Sequence, residues 1–87
     1  LMLKVGSFVR SANELRCFIT GALLLPKGAI GAVLNFDAFD LLHVAFKQYK
    51  PPSSWRRNYF VLTVGDVTAL SPLEVLAAID ELQDEQQ

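Results

Sequence analysis

Turn and helix-breaking residues divide this chain into short segments, and this feature limits its fold more than any other. Pro26-Lys27-Gly28 ends the longest apolar run, and Pro51-Pro52 bars the preceding residue from helical geometry. Gly65-Asp66 is a third turn signal. No segment approaches the roughly 20 consecutive apolar residues that a membrane-spanning helix needs. We therefore expect short elements packed into one small domain over residues 1–87, with no transmembrane segment.

Composition excludes several classes of protein. Hydrophobic residues make up 52% of the chain and charged residues 20%, which is too apolar for a disordered protein. The single cysteine, Cys17, excludes an intramolecular disulfide framework and a cysteine-based metal cluster. The sequence therefore predicts a soluble intracellular protein, most simply a cytoplasmic one, with no cofactor and no metal site.

The first third of the chain is typical of strands. Apolar residues alternate loosely over residues 1–10 and 15–25, and the polar segment 11–14 between them has hairpin chemistry. Residues 29–34 are short and apolar, and Gly31 among them indicates a bulge or a close backbone approach. A three-stranded meander is the simplest interpretation. Leu23, Leu24 and Leu25 cannot all face one side of a strand, so some apolar surface is expected to remain exposed.

Two helices and a fourth strand are predicted downstream. Phe39, Leu42, Ala45 and Phe46 recur at helical spacing, which predicts an amphipathic helix before Pro51. The apolar segment 59–64 predicts a central strand covered on both faces. A second helix is expected to start at a capping box, Ser71-Pro72-Leu73-Glu74. Its predicted buried stripe is Val75, Leu76, Ala78, Ile79 and Leu82. Residues 83–87 are polar and expected to fray.

These elements give the order β-β-β-α-β-α. The predicted fold class is α+β, as a two-layer sandwich. Its antiparallel or mixed sheet carries both helices on one face.

Charge is divided sharply along the chain, although the formal net charge is only −1. Residues 41–65 contain four basic residues and no acidic one, whereas residues 66–87 contain six acidic residues and no basic one. The acidic block is either a solvated tail or a surface that meets a partner. The acidic residues predicted to form a partner surface are Asp80, Glu81, Asp84 and Glu85.

The segment 47–59 joins four cations to two tyrosines and the only tryptophan. The residues predicted to bind a partner are Lys47, Tyr49, Lys50, Trp55, Arg56 and Arg57. Tryptophan, tyrosine and arginine dominate protein-interface hot spots, and aromatic residues between cations also suit nucleic acid or phosphate. A third interpretation is structural: Trp55 covers the sheet edge while Arg56 and Arg57 keep the loop solvated.

The sequence favours a non-catalytic protein–protein interaction or assembly domain, acting as a homo-oligomer or as a subunit of a larger complex. The alternative is a phosphate- or RNA-binding module that uses the loop 47–59. An enzyme is not predicted. A base at His43 with a nucleophile at Cys17 is the only constellation available, and Cys17 is expected at a core position. Asp40 and His43 are expected to form an ordinary exposed pair.

Overall fold

The structure is a computed structural model that describes the backbone of residues 3–85 and the side chains of residues 3–80. Within residues 3–85 it contains seven strands, two 3-10 turns and one α-helix. The strands are β1 (Phe8–Ser11), β2 (Leu15–Arg16), β3 (Leu23–Leu25), β4 (Ile30–Phe36), β5 (Leu42–Phe46), β6 (Phe60–Leu62) and β7 (Val67–Ala69). The 3-10 turns are Ser53–Trp55 and Val64–Asp66, and the helix is α1 (Pro72–Glu85).

Five of the strands form one antiparallel sheet in the order β6-β5-β4-β1-β7, and β2 and β3 form a separate hairpin. In a flat sheet the two edge strands would lie about 19 Å apart, at about 4.8 Å for each neighbouring pair. Here β6 and β7 are joined only by residues 63–66, which include a 3-10 turn. The sheet must therefore curl until its two edges approach. A hydrogen bond of 2.8 Å from the Ala12 backbone N–H to the Asp66 carbonyl oxygen attaches the segment between β6 and β7 to the end of β1.

The core lies on the inner face of the curled sheet. Alternate strand residues are buried there, because successive side chains of a strand point to opposite faces. The rings of Phe46 and Phe60 meet edge to face at 5.6 Å between centroids. Each fully buried side chain of this size contributes about 1.5–3 kcal/mol to folding. The buried core residues are Val9, Leu25, Ala29, Val33, Leu42, Val44, Phe46, Phe60, Leu62 and Val67.

Two small residues allow this close packing. A Cβ atom at Gly31 would lie 2.7 Å from the Ala45 carbonyl oxygen and 2.8 Å from the Phe46 ring, so the position requires glycine. The predicted close approach at Gly31 is confirmed. The buried Ser11 hydroxyl donates to the Pro26 carbonyl oxygen at 2.6 Å and accepts from the Ala29 backbone N–H at 3.1 Å. Ser11 thereby fastens the ends of the hairpin segment to β1.

The predicted two-layer sandwich with two helices is wrong, because the first predicted helix is strand β5. Leu42, Val44 and Phe46 are buried and alternate with two less buried residues, and β5 pairs with β4 on one side and β6 on the other. The Asp37 carboxylate accepts hydrogen bonds from the backbone N–H groups of Phe39 (2.8 Å) and Leu41 (3.1 Å), which makes a tight turn instead of a helix start. Hydrogen-bonded pairing of β5 with two neighbouring strands stabilises the strand more than the helical spacing of its apolar residues could stabilise a helix.

The predicted arrangement of strands also needs correction. Strand β6 is an edge strand, not a central one. Residues 15–25 are a hairpin instead of one continuous strand, and Gly21 takes a positive φ of 74° in its turn. Cys17 lies in this turn and is partly exposed, so its predicted core position is wrong.

The second predicted helix exists, and its capping box is confirmed. The Glu74 backbone N–H donates to Ser71 Oγ at 3.2 Å, and the Ser71 backbone N–H donates to Glu74 Oε1 at 3.0 Å. The buried stripe is mostly wrong: Ala78 is buried and Val75 is half-buried, but Leu76 is 62% exposed and Ile79 is 44% exposed.

The helix reaches Glu85, although fraying was expected from residue 83; residues 86 and 87 and the Leu82 side chain lie outside the described set. Within residues 3–85, no helix has the length and apolar character needed to cross a membrane.

Candidate protein-interaction site

The loop between β5 and β6 is shaped by its prolines and by one left-handed residue. Pro51 is buried, and Pro52 precedes the 3-10 turn Ser53–Trp55. Arg56 ends that turn with φ 57° and ψ 33°, and its backbone N–H donates to the Ser53 carbonyl oxygen at 3.0 Å. The turn presents Trp55 and Arg57 on the approach to β6.

Arg57 lies between two aromatic rings. Its guanidinium carbon is 4.9 Å from the centroid of the Trp55 ring and 5.7 Å from that of the Tyr59 ring. Its Nε also donates to the Tyr59 carbonyl oxygen at 3.2 Å. A cation over an aromatic face is attracted by the ring quadrupole, so these contacts favour this position of the guanidinium. An arginine ordered in this way loses less conformational entropy when it binds an anion.

The row of stacked groups continues onto β5. The rings of Tyr59 and His43 are nearly parallel, 16° apart in orientation, with their centroids separated by 4.5 Å. His43 Nε2 lies 3.6 Å from Asp37 Oδ2, so the predicted pairing of His43 with Asp40 is wrong. Hydrogen bonds from the Phe39 and Leu41 backbone N–H groups, together with His43, lower the pKa of Asp37 despite partial desolvation. We name Trp55, Arg57, Tyr59 and His43 the stacked strip.

Trp55 is both supported and exposed. Its ring meets the ring of the core residue Phe60 edge-on, 6.4 Å between centroids, yet 40% of the residue remains accessible. Trp55 therefore contacts the core at the sheet edge and leaves part of its surface accessible, and its role in binding a partner stays a prediction. An aromatic ring with this support is a rigid anchor for a partner.

The cations of this region lack acidic partners within the chain as described. Lys47, Lys50, Arg56 and Arg57 are all exposed. Two ion pairs are described among the side chains of residues 3–80: Arg16 with Glu14, and His43 with Asp37. Neither pair uses one of these four cations. The positive charge of the loop is thus free to meet an anion.

An apolar depression of about 140 Å³ adjoins the stacked strip. His43 and Ala45 share the outer face of β5, and Lys47 follows the last residue of the strand, so His43 of the strip and the depression lie on the same face of the sheet. Across the sheet, Phe8 pairs with Ala32 and Ala32 pairs with Ala45. We name this feature the outer depression; its lining residues are Phe8, Ile30, Gly31, Ala32, Ala45 and Lys47.

The predicted partner-binding residues fall into three groups. Trp55 and Arg57 lie in the stacked strip, and Lys47 borders the outer depression. Lys50 and Arg56 are exposed on the loop beside them. Tyr49 instead packs against the core, where its half-buried ring supports the loop.

Two members of the strip were not predicted to bind a partner. Tyr59 and His43 reach the strip only because β6 pairs with β5. The signal available in the sequence was that large apolar residues at 42, 44 and 46 alternate with the smaller or polar residues Ala45 and His43, which is the period of a strand.

The predicted acidic surface lies on α1. Asp80 is exposed. Glu81, Asp84 and Glu85 belong to the helix, but their side chains lie outside the described set.

The two residues considered for catalysis have separate partners. A hydrogen bond with the Thr20 hydroxyl, with further bonds from the Thr20 and Ile19 backbone, lowers the pKa of the Cys17 thiol. His43 contacts Tyr59 and Asp37 instead. The structure does not join Cys17 and His43 into one constellation.

Other large apolar side chains are also exposed, as the sequence predicted. Phe18 and Ile19 stand at the turn of the β2–β3 hairpin, and Phe39 stands in the turn after β4; all three are more than four-fifths accessible. Of the three consecutive leucines, Leu25 is buried while Leu23 is exposed. No protein-family model, curated protein or solved structure matches this chain.

Proposed function

We propose that this chain is a non-catalytic protein-interaction domain that binds an acidic segment of a protein partner through the stacked strip. One observation carries the proposal. The Arg57 guanidinium lies over the rings of Trp55 and Tyr59, and no carboxylate among the side chains of residues 3–80 engages it. An ordered, uncompensated guanidinium is a donor for bidentate binding of a carboxylate.

A protein partner is favoured over nucleic acid because of what surrounds the strip. The outer depression is apolar, and an apolar floor beside an aromatic anchor suits side chains of a protein. The chain as a whole carries a formal net charge of −1, whereas nucleic-acid-binding domains depend on many cations over one face. The partner segment is therefore one that carries both acidic and apolar side chains.

The strip and the surrounding cations have different tasks in this proposal. Trp55 and Arg57 are the central contacts, and buried aromatic or arginine contacts dominate affinity at interfaces. Lys47, Lys50 and Arg56 surround them and mainly speed encounter with an acidic partner, because exposed charges steer association more than they hold a complex. The domain then acts as one subunit of an assembly.

Fluorescence anisotropy tests this proposal with two labelled probes: a peptide that alternates glutamate with leucine, and a single-stranded deoxythymidine oligonucleotide. The full chain is expected to bind the peptide more tightly. Trp55→Ala and Arg57→Ala should each weaken peptide binding by about tenfold or more, which is about 1.4 kcal/mol or more. Lys27→Ala, which removes an exposed cation in a different turn, is the matched control and should bind as the unaltered chain does.

Three results would overturn the proposal. The first is tighter binding of the oligonucleotide with a steep loss in salt, which is the mark of phosphate contacts. The second is equal weakening by Lys27→Ala and Arg57→Ala. The third is binding of neither probe by the folded chain.

A further inference from the structure

The helix α1 is amphipathic, and much of its apolar side is uncovered. Leu73, Leu76 and Ile79 are exposed, whereas Val75 and Ala78 face the rest of the chain. Isolated helices of fewer than about 12–15 residues are marginal in water, so a 14-residue helix such as α1 gains from packing its apolar side. The cap at Ser71 secures only its first turn. The exposed leucines and isoleucine therefore mark a contact surface.

One acidic residue of α1, Asp80, lies beside this apolar surface. Asp80 follows Leu76 by four residues, so the two are neighbours on one side of the helix. The helix segment carries five acidic residues and no basic one. A binding surface that fits α1 must therefore offer an apolar floor with cations along its border.

The outer face of the sheet offers this combination. The outer depression supplies the apolar floor, and Lys47 lies at its border. His43 of the stacked strip lies on this face of β5, and the strip leads through Tyr59 to the guanidinium of Arg57. Helix-in-groove binding pairs an apolar helix face with an apolar groove in this way.

We infer that α1 of one copy of this chain packs across the outer depression and the stacked strip of a second copy. The inference rests on the proposed function and names its acidic partner as a second copy. Leu76 and Ile79 enter the outer depression, and the carboxylates of α1 meet Lys47 and Arg57. Because each copy carries both surfaces, the contact can be made twice about a two-fold axis, which closes the assembly as a dimer.

Sedimentation velocity of the full chain tests this inference over about a hundredfold range of concentration, because mass action shifts self-association. The mass is expected to rise from 9.6 kDa towards twice that value. The double variants Leu76→Gln/Ile79→Gln and Lys47→Glu/Arg57→Glu should each weaken association by about tenfold or more. Their melting temperatures as monomers should fall far less than that of a variant truncated in the core, because all four side chains are exposed. Val64→Gln and Lys27→Glu alter exposed residues elsewhere and are the matched controls.

A mixing experiment makes the test specific. The Leu76→Gln/Ile79→Gln chain retains an intact outer face, and the Lys47→Glu/Arg57→Glu chain retains an intact helix. An equimolar mixture should therefore associate more strongly than either variant alone, because one complete helix-to-face contact is restored. General damage to folding would not produce this complementation.

Three outcomes would overturn the inference. A chain that stays monomeric at every concentration, yet binds the acidic peptide, would remove the second copy as partner and leave the proposed function standing. Association that neither double variant weakens would place the contact elsewhere. A loss of stability in the monomeric Leu76→Gln/Ile79→Gln chain as large as that of a core truncation would show that these two side chains already pack against their own chain.

Discussion

Strand β5 and helix α1 are both amphipathic, but only β5 has its apolar side covered. In β5, Leu42, Val44 and Phe46 are buried under the curled sheet. In α1, Leu76 and Ile79 remain exposed although they belong to the predicted buried stripe. The difference teaches that periodicity identifies an apolar face but does not say what covers it. A covered face stabilises the fold, and an uncovered one is available to a partner.

The sharpest way to break this comparison is to truncate one covered residue, Phe60 of β6, which packs on Phe46 of β5, and one uncovered residue of α1. Phe60→Ala removes a ring that packs on Phe46 and Trp55, and a buried Phe→Ala change costs about 3–5 kcal/mol. Ile79→Ala, on the open side of α1, should cost well under that, at about 1 kcal/mol or less. Urea denaturation of both variants at one low protein concentration measures the two costs. Equal losses would mean that α1 is covered after all.

A smaller loss of stability is expected at Gly31. The added methyl group of Gly31→Ala would meet the Ala45 carbonyl oxygen at 2.7 Å and the Phe46 ring at 2.8 Å, and overpacking of this kind costs about 1–3 kcal/mol. Gly65→Ala is the control, because its nearest neighbour is the Thr63 hydroxyl at 3.9 Å. Thermal melts of the two variants should differ clearly. Matching melts would show that β4 and β5 do not approach as described.

On the helix side, Ser71→Ala should have the next largest effect. It removes the acceptor of the Glu74 backbone N–H, and loss of such a cap costs about 0.5–2 kcal/mol. Helical circular dichroism should fall with the melting temperature, because α1 begins at this cap. Ser54→Ala, at an exposed serine in the loop before β6, is the comparison and should leave both signals unchanged. An unaltered dichroism spectrum in Ser71→Ala would contradict the observed helix start.

The smallest expected effect is on the stability of the fold in acid, through Asp37 in the turn before β5. Hydrogen bonds from backbone N–H groups lower the pKa of Asp37, so the unfolded chain binds its proton more readily than the folded one. The stabilising contribution is present above the unfolded pKa of about 3.9 and is lost as the pH falls through the lower folded value. Asp37→Asn should therefore flatten the dependence of stability on pH below about 4.

Denaturation midpoints measured between neutral and acidic pH check this result. Asp40→Asn, in the same turn, is the control because its carboxylate does not accept the Phe39 or Leu41 bonds. A pH dependence that Asp40→Asn flattens as much as Asp37→Asn would assign the acid sensitivity to general charge instead.

Prediction from the sequence succeeded where a few neighbouring residues carry the whole signal. The capping box is made by Ser71 and Glu74 within one turn, and the turn at Pro26–Gly28 is marked by its own proline and glycine. The cations and aromatics of the loop 47–59 were also identified from their density in the sequence. Prediction failed at residues 42–46, where Leu42 and Phe46 are four residues apart and fit one face of a helix as well as one face of a strand. Only the pairing of β5 with β4 and β6 separates the two.

The sequence by itself determined where turns interrupt the chain, where α1 is capped, and how basic and acidic residues are separated. These features depend on residue type and short-range geometry. The tertiary structure alone decided that residues 42–46 form a strand, that the sheet curls until β6 and β7 approach, and that His43 and Tyr59 join Arg57 and Trp55 in one strip. The physical reason is that backbone pairing and burial unite residues far apart in the chain. The free energy of this pairing and burial outweighs the local conformational preference of residues 42–46, which differs little between helix and strand.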